Sequence, residues 1–316
     1  MQVFTPEDYE HLLRHILTSP LGLAEPLNDV AVLLVIPGHW SRHHCYSLLQ
    51  VLLINIGVNG VYLGRAPLMN AFGCACPTAL VVDVGHDETE VAVIIDGEFN
   101  QSLYERLFFG GRTCEIFLQE KVLGANTEIY DSLKAAGLDP EIHLPIMARA
   151  IKESPVNFCN GAMSVDFEYQ GITVQIGTDR IKLFDRLCAE ITRAISALIR
   201  YCDPDLPPIL FDHIILTGGT SRNPLLALKL KSHLQSLLTI SGNVADHQAK
   251  IKTQDNPLEF RTVPPYYHDL WQSATPLAGW FGGGITAKCV LSDPKNHYTR
   301  EDLVTHGYKI FTDKPL

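Results

Sequence analysis

The chain has 316 residues, 46% hydrophobic and 19% charged, with a formal net charge of −10 and a pI of about 5.7. That length suits about two domains with sizeable cores. An acidic balance without any dense Lys/Arg run excludes direct binding to a nucleic-acid backbone. No apolar run reaches the ~18 residues of a membrane helix, so no membrane span is expected. The opening MQVFTPEDYEHLLRHIL lacks the basic-then-apolar pattern of a secretory leader. Eight cysteines, Cys45, Cys74, Cys76, Cys114, Cys159, Cys188, Cys202 and Cys289, lie mostly in apolar segments without a CxxC pair. They read as buried reduced thiols of the cytosol or nucleus.

In chain order, PEDYEHLLRHILT (6–18) has apolar residues at helical spacing and acids in its first turn, which predicts a helix. DVAVLLVIP (29–37) is a continuous apolar run, expected to be a strand covered on both faces. A helix over 46–56 and a short strand GVYLG (60–64) follow, an α/β pattern. ALVVDVG (79–85) predicts a buried strand, and HDETEVAVIIDGEF alternates and turns at Asp96-Gly97, a hairpin signal. A third strand over 100–109 leads to Gly110-Gly111. Helical and mixed segments are expected over 112–205, with an amphipathic stretch at 184–201. FDHIILTGGTSRNP (211–224) predicts a strand, a Gly-Gly turn and a helix start. Polar residues 241–256 and the Pro-rich 263–265 predict a loop. LAGWFGGGITAKCVL (277–291) reads as a Gly-rich turn entering a helix.

Two elements could carry chemistry, VVDVGHDET (81–89) and ILTGGTSRNP (215–224). Each is an apolar strand ending in a small-residue turn, where glycine admits close approach and successive N–H groups can cradle phosphate. Each could equally be an ordinary hairpin or strand-to-helix turn. HWSRHHC (39–45) holds histidines and a cysteine. Zinc needs four convergent ligands, so the expectation is a solvated helix start and no metal. Ser102 and Ser221 lack a GxSxG elbow, which leaves no support for a hydrolase triad.

VVDVG with the IIDGE hairpin resembles the second phosphate-binding hairpin of actins, Asp-Ser-Gly-Asp-Gly-Val-Thr-His leading to Ile-Tyr-Glu-Gly. ILTGGTSRNP resembles the actin adenosine loop, ARAIKESPVNFC (148–159) an actin helix, and QGITVQIGTDRIKLFDRL (170–187) the segment after it. GWFGGGITAK (279–288) resembles the actin Val-Trp-Ile-Gly-Gly-Ser-Ile-Leu-Ala. These motifs run in the family order along nearly the whole chain, so the sequence is similar to the actin superfamily. The resemblance implies a two-lobed actin/Hsp70-like (ribonuclease H-like) α/β fold. The family's first phosphate loop has no counterpart, which implies an N-terminally truncated fold without that hairpin and without the small outer subdomain. The implied layout is 1–75 as the rest of the first lobe, 76–111 with 206–262 as second-lobe core, 112–205 as its outer part, and 263–316 returning to the first lobe.

By this resemblance Asp83, Gly85, Thr89, Lys152, Glu153, Gly218, Gly219 and Thr220 fall on family nucleotide-binding positions. His86 stands where actins place a metal-linked Asp, Asp87 replaces a phosphate-facing glycine, and Glu90 replaces a His. Arg222 and Pro276 replace residues that line adenine. Ala66 stands where actins orient the attacking water with Gln, and alanine cannot do so. The implication is a pseudo-ATPase with no required cofactor and no catalytic residue, in which these positions pack the fold and any residual ATP binding falls to them. Phe72, Ala75, Cys289 and Leu291 fall on a family groove that accepts amphipathic helices. The stretch 65–98, RAPLMNAFGCACPTALVVDVGHDETEVAVIIDGE, looks most like the divergent nuclear actin-related subunit of fungal SWI/SNF and RSC remodellers. That implies a nuclear complex subunit paired with another actin-like subunit on a long helix of the remodeller ATPase, forming no filament of its own. The alternatives are the pointed-end actin-related subunit of dynactin, in the cytoplasm, and an active ATPase or sugar kinase on the same fold.

Overall fold

The computed structural model describes residues 5–124, 127–154, 164–241 and 258–313. The chain divides into two compact units, Met1–Cys76 with Ala278–Leu316, and Pro77–Leu277. Helix α1 (Pro6–Thr18) starts with a capping box, in which Thr5 accepts from the Asp8 N–H and Asp8 accepts from the Thr5 N–H. Strand β1 (Ala31–Ile36) pairs in parallel with β2 (Gly60–Arg65). Along β1 only Ile36 is fully buried, because β1 is an edge of its three-stranded sheet. Helix α2 (Arg42–Gln50) begins earlier than its apolar pattern suggested, where Ser41 accepts the His44 N–H as an N-cap. It continues as a π-helical turn over Val51–Ile56 and stops at Gly57, φ 83°. Helix α3 (Ala66–Gly73) follows β2 directly.

In the second unit β3 (Ala79–Val84), β4 (Thr89–Ile95) and β5 (Glu98–Leu107) form an antiparallel meander. The β4–β5 turn places Asp96 at φ 51° and Gly97 at φ 78°, the primed turn that Asp-Gly favours. Helices α4 (Gly111–Phe117), α5 (Thr127–Ala135) and α6 (Pro140–Glu153) come next. A hairpin of β6 (Val165–Tyr169) and β7 (Ile172–Ile176) then interrupts the region read as helical and mixed. Its turn uses Gln170-Gly171, both at positive φ, a less obvious signal than Asp-Gly. After α7 (Asp185–Ile199) and α8 (Leu206–Asp212), β8 (Ile214–Thr217) enters parallel to β3. Helix α9 (Pro224–Ser241), β9 (Phe260–Arg261) and α10 (Asp269–Gln272) complete the unit. The sheet order is β5-β4-β3-β8-β9. Of the expected loop over 241–256, all but Ser241 lies outside the described residues, as does Cys159.

The return to the first unit comes at Ala278, not at 263 as the resemblance implied. Residues 263–277 stay with the second unit, where Thr217 Oγ1 donates to the Thr275 carbonyl at 2.8 Å. The Gly-rich segment is itself helix α11 (Ala278–Val290), not a turn. Its glycines serve contact with α3: a Cβ on Gly282 would lie 1.8 Å from the Met69 carbonyl oxygen, and one on Gly73 2.0 Å from that of Ala278. The helices therefore touch through backbone. Strand β10 (Tyr298–Thr299) joins β2 antiparallel, followed by α12 (Arg300–His306) and α13 (Ile310–Asp313). No helix of the described residues is long and apolar enough to cross a membrane.

Gly282→Ala should destabilise the protein by about 2–3 kcal/mol through overpacking. Gly284→Ala, which meets nothing within 4 Å, should stabilise it by up to ~1 kcal/mol through helix propensity. Urea unfolding of both variants checks this, and equal effects would refute the close helix contact. The thiols provide a second check. Burial pushes Cys74, Cys114 and Cys188 up to about 12, so they stay protonated and unreactive at pH 8. Cys289 is exposed, against the expectation of burial. Among these four, a thiol reagent should modify Cys289 first, as read by peptide mass spectrometry.

Candidate functional site

Because β3 and β8 are parallel neighbours, with Asp83 paired to Thr217, their carboxyl ends lie side by side. The turn after β3 and the turn after β8 therefore meet, the position where open α/β sheets place ligands. A cavity of about 480 Å³ opens there. His86 lines it from the first turn, Arg149, Lys152 and Glu153 from α6, and Gly219, Thr220, Arg222 and Asn223 from the second turn.

The two turns are bonded to one another. Thr220 Oγ1 donates to the Gly85 carbonyl at 2.8 Å, and the Gly111 N–H donates to the same oxygen at 2.9 Å. Gly218 sits at φ 89°, and a Cβ there would lie 2.4 Å from Asp83 Oδ1 and 2.5 Å from the Val84 carbonyl oxygen. Both facts demand glycine. Asn223 is buried and donates through Nδ2 to the Lys152 carbonyl at 2.6 Å, fastening the second turn to α6.

Lys152 is the buried cation of the cavity. Its side chain is 8% exposed, and its ammonium donates to Glu115 Oε1 at 2.5 Å; Glu115, on α4, is 16% exposed. The pair packs against the start of α4, where a Cβ on Gly111 would lie 2.5 Å from Thr220 Oγ1 and 2.8 Å from Lys152 Nζ. A buried pair of this kind is costly to break, because the survivor is left uncompensated. The Arg149–Glu153 pair, at 3.1 Å, has both partners about 60% exposed, so solvent screens it to little net effect.

Of the residues singled out in the sequence, His86, Lys152, Glu153, Gly219, Thr220 and Arg222 line the cavity together. Gly85 and Gly218 shape its backbone from beneath. Asp83 lies below Gly218, and Thr89 is fully buried, with its hydroxyl donating to the Phe109 carbonyl at 2.7 Å. Neither lines the cavity. Asp87 is exposed and lies 3.4 Å from Arg112. Glu90 is buried and accepts from the Tyr104 hydroxyl at 2.8 Å. Burial, then the Glu90 charge, holds the Tyr104 phenol well above its ordinary range. Sequence reasoning missed Glu115, Arg149 and Asn223. Glu115 stands 37 residues from Lys152 on another helix, so no local spacing could reveal the pair.

The groove residues all fall in the first unit. Phe72 is half-buried and Ala75 exposed, at the end of α3 that meets Ala278; Cys289 is exposed and Leu291 half-buried at the other end of α11. Ala278 and Cys289 stand at opposite ends of α11, about 16 Å apart along the helix at ~1.5 Å per residue. In HWSRHHC, His43 and His44 are exposed while Cys45 is fully buried, so cysteine and histidines face opposite ways. The two histidines, with Tyr9 and Trp40, line a smaller cavity of about 190 Å³.

Gly218→Ala should cost about 2–3 kcal/mol, from positive φ and overpacking together. Gly219→Ala, where a Cβ meets nothing within 4 Å, should change stability by less than about 1 kcal/mol. Thermal unfolding checks both, and a tolerant Gly218 would mean the two turns do not touch as described.

The Actin family profile matches residues 2–135. Actin-related protein 8 of Danio rerio is 32% identical over 107 residues, which is 33% of this chain and 17% of that protein. The SWI/SNF and RSC complexes subunit arp9 of Schizosaccharomyces pombe is 28% identical over 133 residues, 41% of this chain and 23% of that one. This chain thus matches less than a quarter of either relative's length. The SWI/SNF and RSC complexes subunit arp42 of the same yeast aligns over 350 positions at 24% identity, covering 89% of this chain and 76% of that one. Residues 2–135 thus match an actin family domain, the mixed α/β architecture is consistent with an actin-like fold, and the relatives named here are actin-related proteins.

Proposed function

We propose that this protein is a non-catalytic, actin-related subunit of a multiprotein assembly, an ATP-dependent chromatin remodeller in the nucleus. One observation carries the non-catalytic reading: the buried cation of the cavity is neutralised from within, by Glu115 on Lys152. A phosphate ligand would have to displace that mostly buried carboxylate from its ammonium, leaving only His86, 3.8 Å away, beside it. Ala66, at the start of α3, has no group with which to aim water, and phosphoryl transfer needs positioned water together with clamped phosphates. No cofactor is required on this reading.

The relatives named for SWI/SNF and RSC complexes support the choice of assembly. The partners on this reading are a second actin-like subunit and a long helix of the remodeller ATPase. That helix would lie along α3 and α11, from Phe72 and Ala75 towards Cys289 and Leu291. The net charge of −10 favours contact with protein partners over direct contact with DNA.

Tagged protein purified from nuclear extract should bring a remodeller ATPase with it, identified by mass spectrometry. Dynactin subunits in its place would overturn the assignment, and so would brisk Mg–ATP turnover by the purified protein. Phe72→Asp should weaken capture of the partner by about thirtyfold, the effect of losing ~2 kcal/mol at a buried anchor, while the variant remains folded by circular dichroism. Unchanged capture would remove the helix from this groove.

A further inference from the structure

Arg149, Lys152 and Arg222 line the cavity wall beside His86, against one carboxylate in the lining, Glu153, which Arg149 pairs at 3.1 Å. That excess of cations should attract phosphoanions. Behind the wall, however, Glu115 Oε1 holds the Lys152 ammonium at 2.5 Å and lies 3.8 Å from His86 Nδ1. One carboxylate thus faces both of the groups best placed to grip an anion. It is mostly buried, so water screens it poorly.

We propose that Glu115 determines the ligand charge that the cavity accepts, and that its carboxylate excludes phosphoanions. An anion entering beside Lys152 meets a negative charge already bonded to that ammonium. Either the two anions share one cation at close range in a poorly screened site, or the Lys152–Glu115 bond breaks and strands a buried carboxylate. Both routes are unfavourable. Gly111 lies close against the Lys152 ammonium, since a Cβ there would sit 2.8 Å from Nζ, so the side chain has little room on that side. The inference rests on reading the cavity as non-catalytic, and adds the residue that makes it so.

The test uses pyrophosphate as probe, with the intact chain and its Glu115→Gln variant. Glutamine keeps an oxygen that can accept from Lys152 but removes the charge, leaving a buried ammonium in need of an anion. Pyrophosphate should raise the unfolding temperature of Glu115→Gln in a saturable, salt-sensitive way, and bind it at least about tenfold more tightly than the intact chain. The double variant Glu115→Gln/Lys152→Met should lose this response. If the single variant does not fold, Glu115→Ala, which removes the charge together with the side chain's end, should show the same preference.

Equal pyrophosphate binding by the intact chain and a folded variant would overturn the proposal, as would a variant that ignores pyrophosphate. A purely structural ion pair would lower stability in both single variants without any rescue by the anion. ATP turnover by the intact protein would instead sink the non-catalytic reading, so the two failures are distinguishable.

Discussion

The parallel pairing of β3 with β8 is the constraint on which the rest of the second unit depends. Leu80 to Asp83 register against Ile214 to Thr217, so two strands more than a hundred residues apart in sequence end at the same edge. Their turns must then share a small space. Gly218 at positive φ, the Thr220 hydroxyl on the Gly85 carbonyl, and the close approach of Gly111 all follow from that crowding. A side chain at either glycine would push the turns apart and open the cavity floor. The cavity is thus a consequence of sheet topology, and its chemistry is a separate matter settled by the residues around it.

Those residues are arranged to satisfy one another. Lys152 finds Glu115, Asn223 finds the Lys152 carbonyl, and Thr220 finds the Gly85 carbonyl. A buried polar group without a partner costs about 1–3 kcal/mol, and a site built to grip a ligand often keeps such groups waiting for it. Here the cation on α6 already has its anion on α4. The same economy appears at Glu90, which accepts from the Tyr104 hydroxyl within the β4–β5 pair. A cavity so arranged keeps its polar groups paired within the second unit.

The first unit solves a different problem, bringing α3 and α11 into backbone contact. Gly73 and Gly282 remove the side chains that would separate them, and glycine's poor helix propensity, about 1 kcal/mol each, is offset by dispersion contacts along the interface. This is why a Gly-rich run is helical here. Read locally, Gly-Gly-Gly signals a turn, and only the neighbouring helix supplies the reason for it to continue. The extension of α2 to Arg42 has a similar origin in the Ser41 cap, a single hydrogen bond that outweighs a polar first turn.

Much was legible from residues alone because it depends on short-range patterns. The apolar runs of β3 and β8, the Asp96-Gly97 hairpin and the helices α1 and α7 express periodicity and turn chemistry within a few residues. The glycine turns after β3 and β8 were recognisable for the same reason, whereas Lys152 and Glu153 stood out only through the family resemblance. What the sequence could not determine was which groups meet across long separations: Glu115 with Lys152, Thr220 with Gly85, Gly282 with Met69. Each of those contacts depends on strand order and helix crossing, which are fixed by packing of the whole unit rather than by any local preference. The chemical character of the cavity was therefore decided by tertiary structure, because a buried charge takes its meaning from the partner that the fold brings to it.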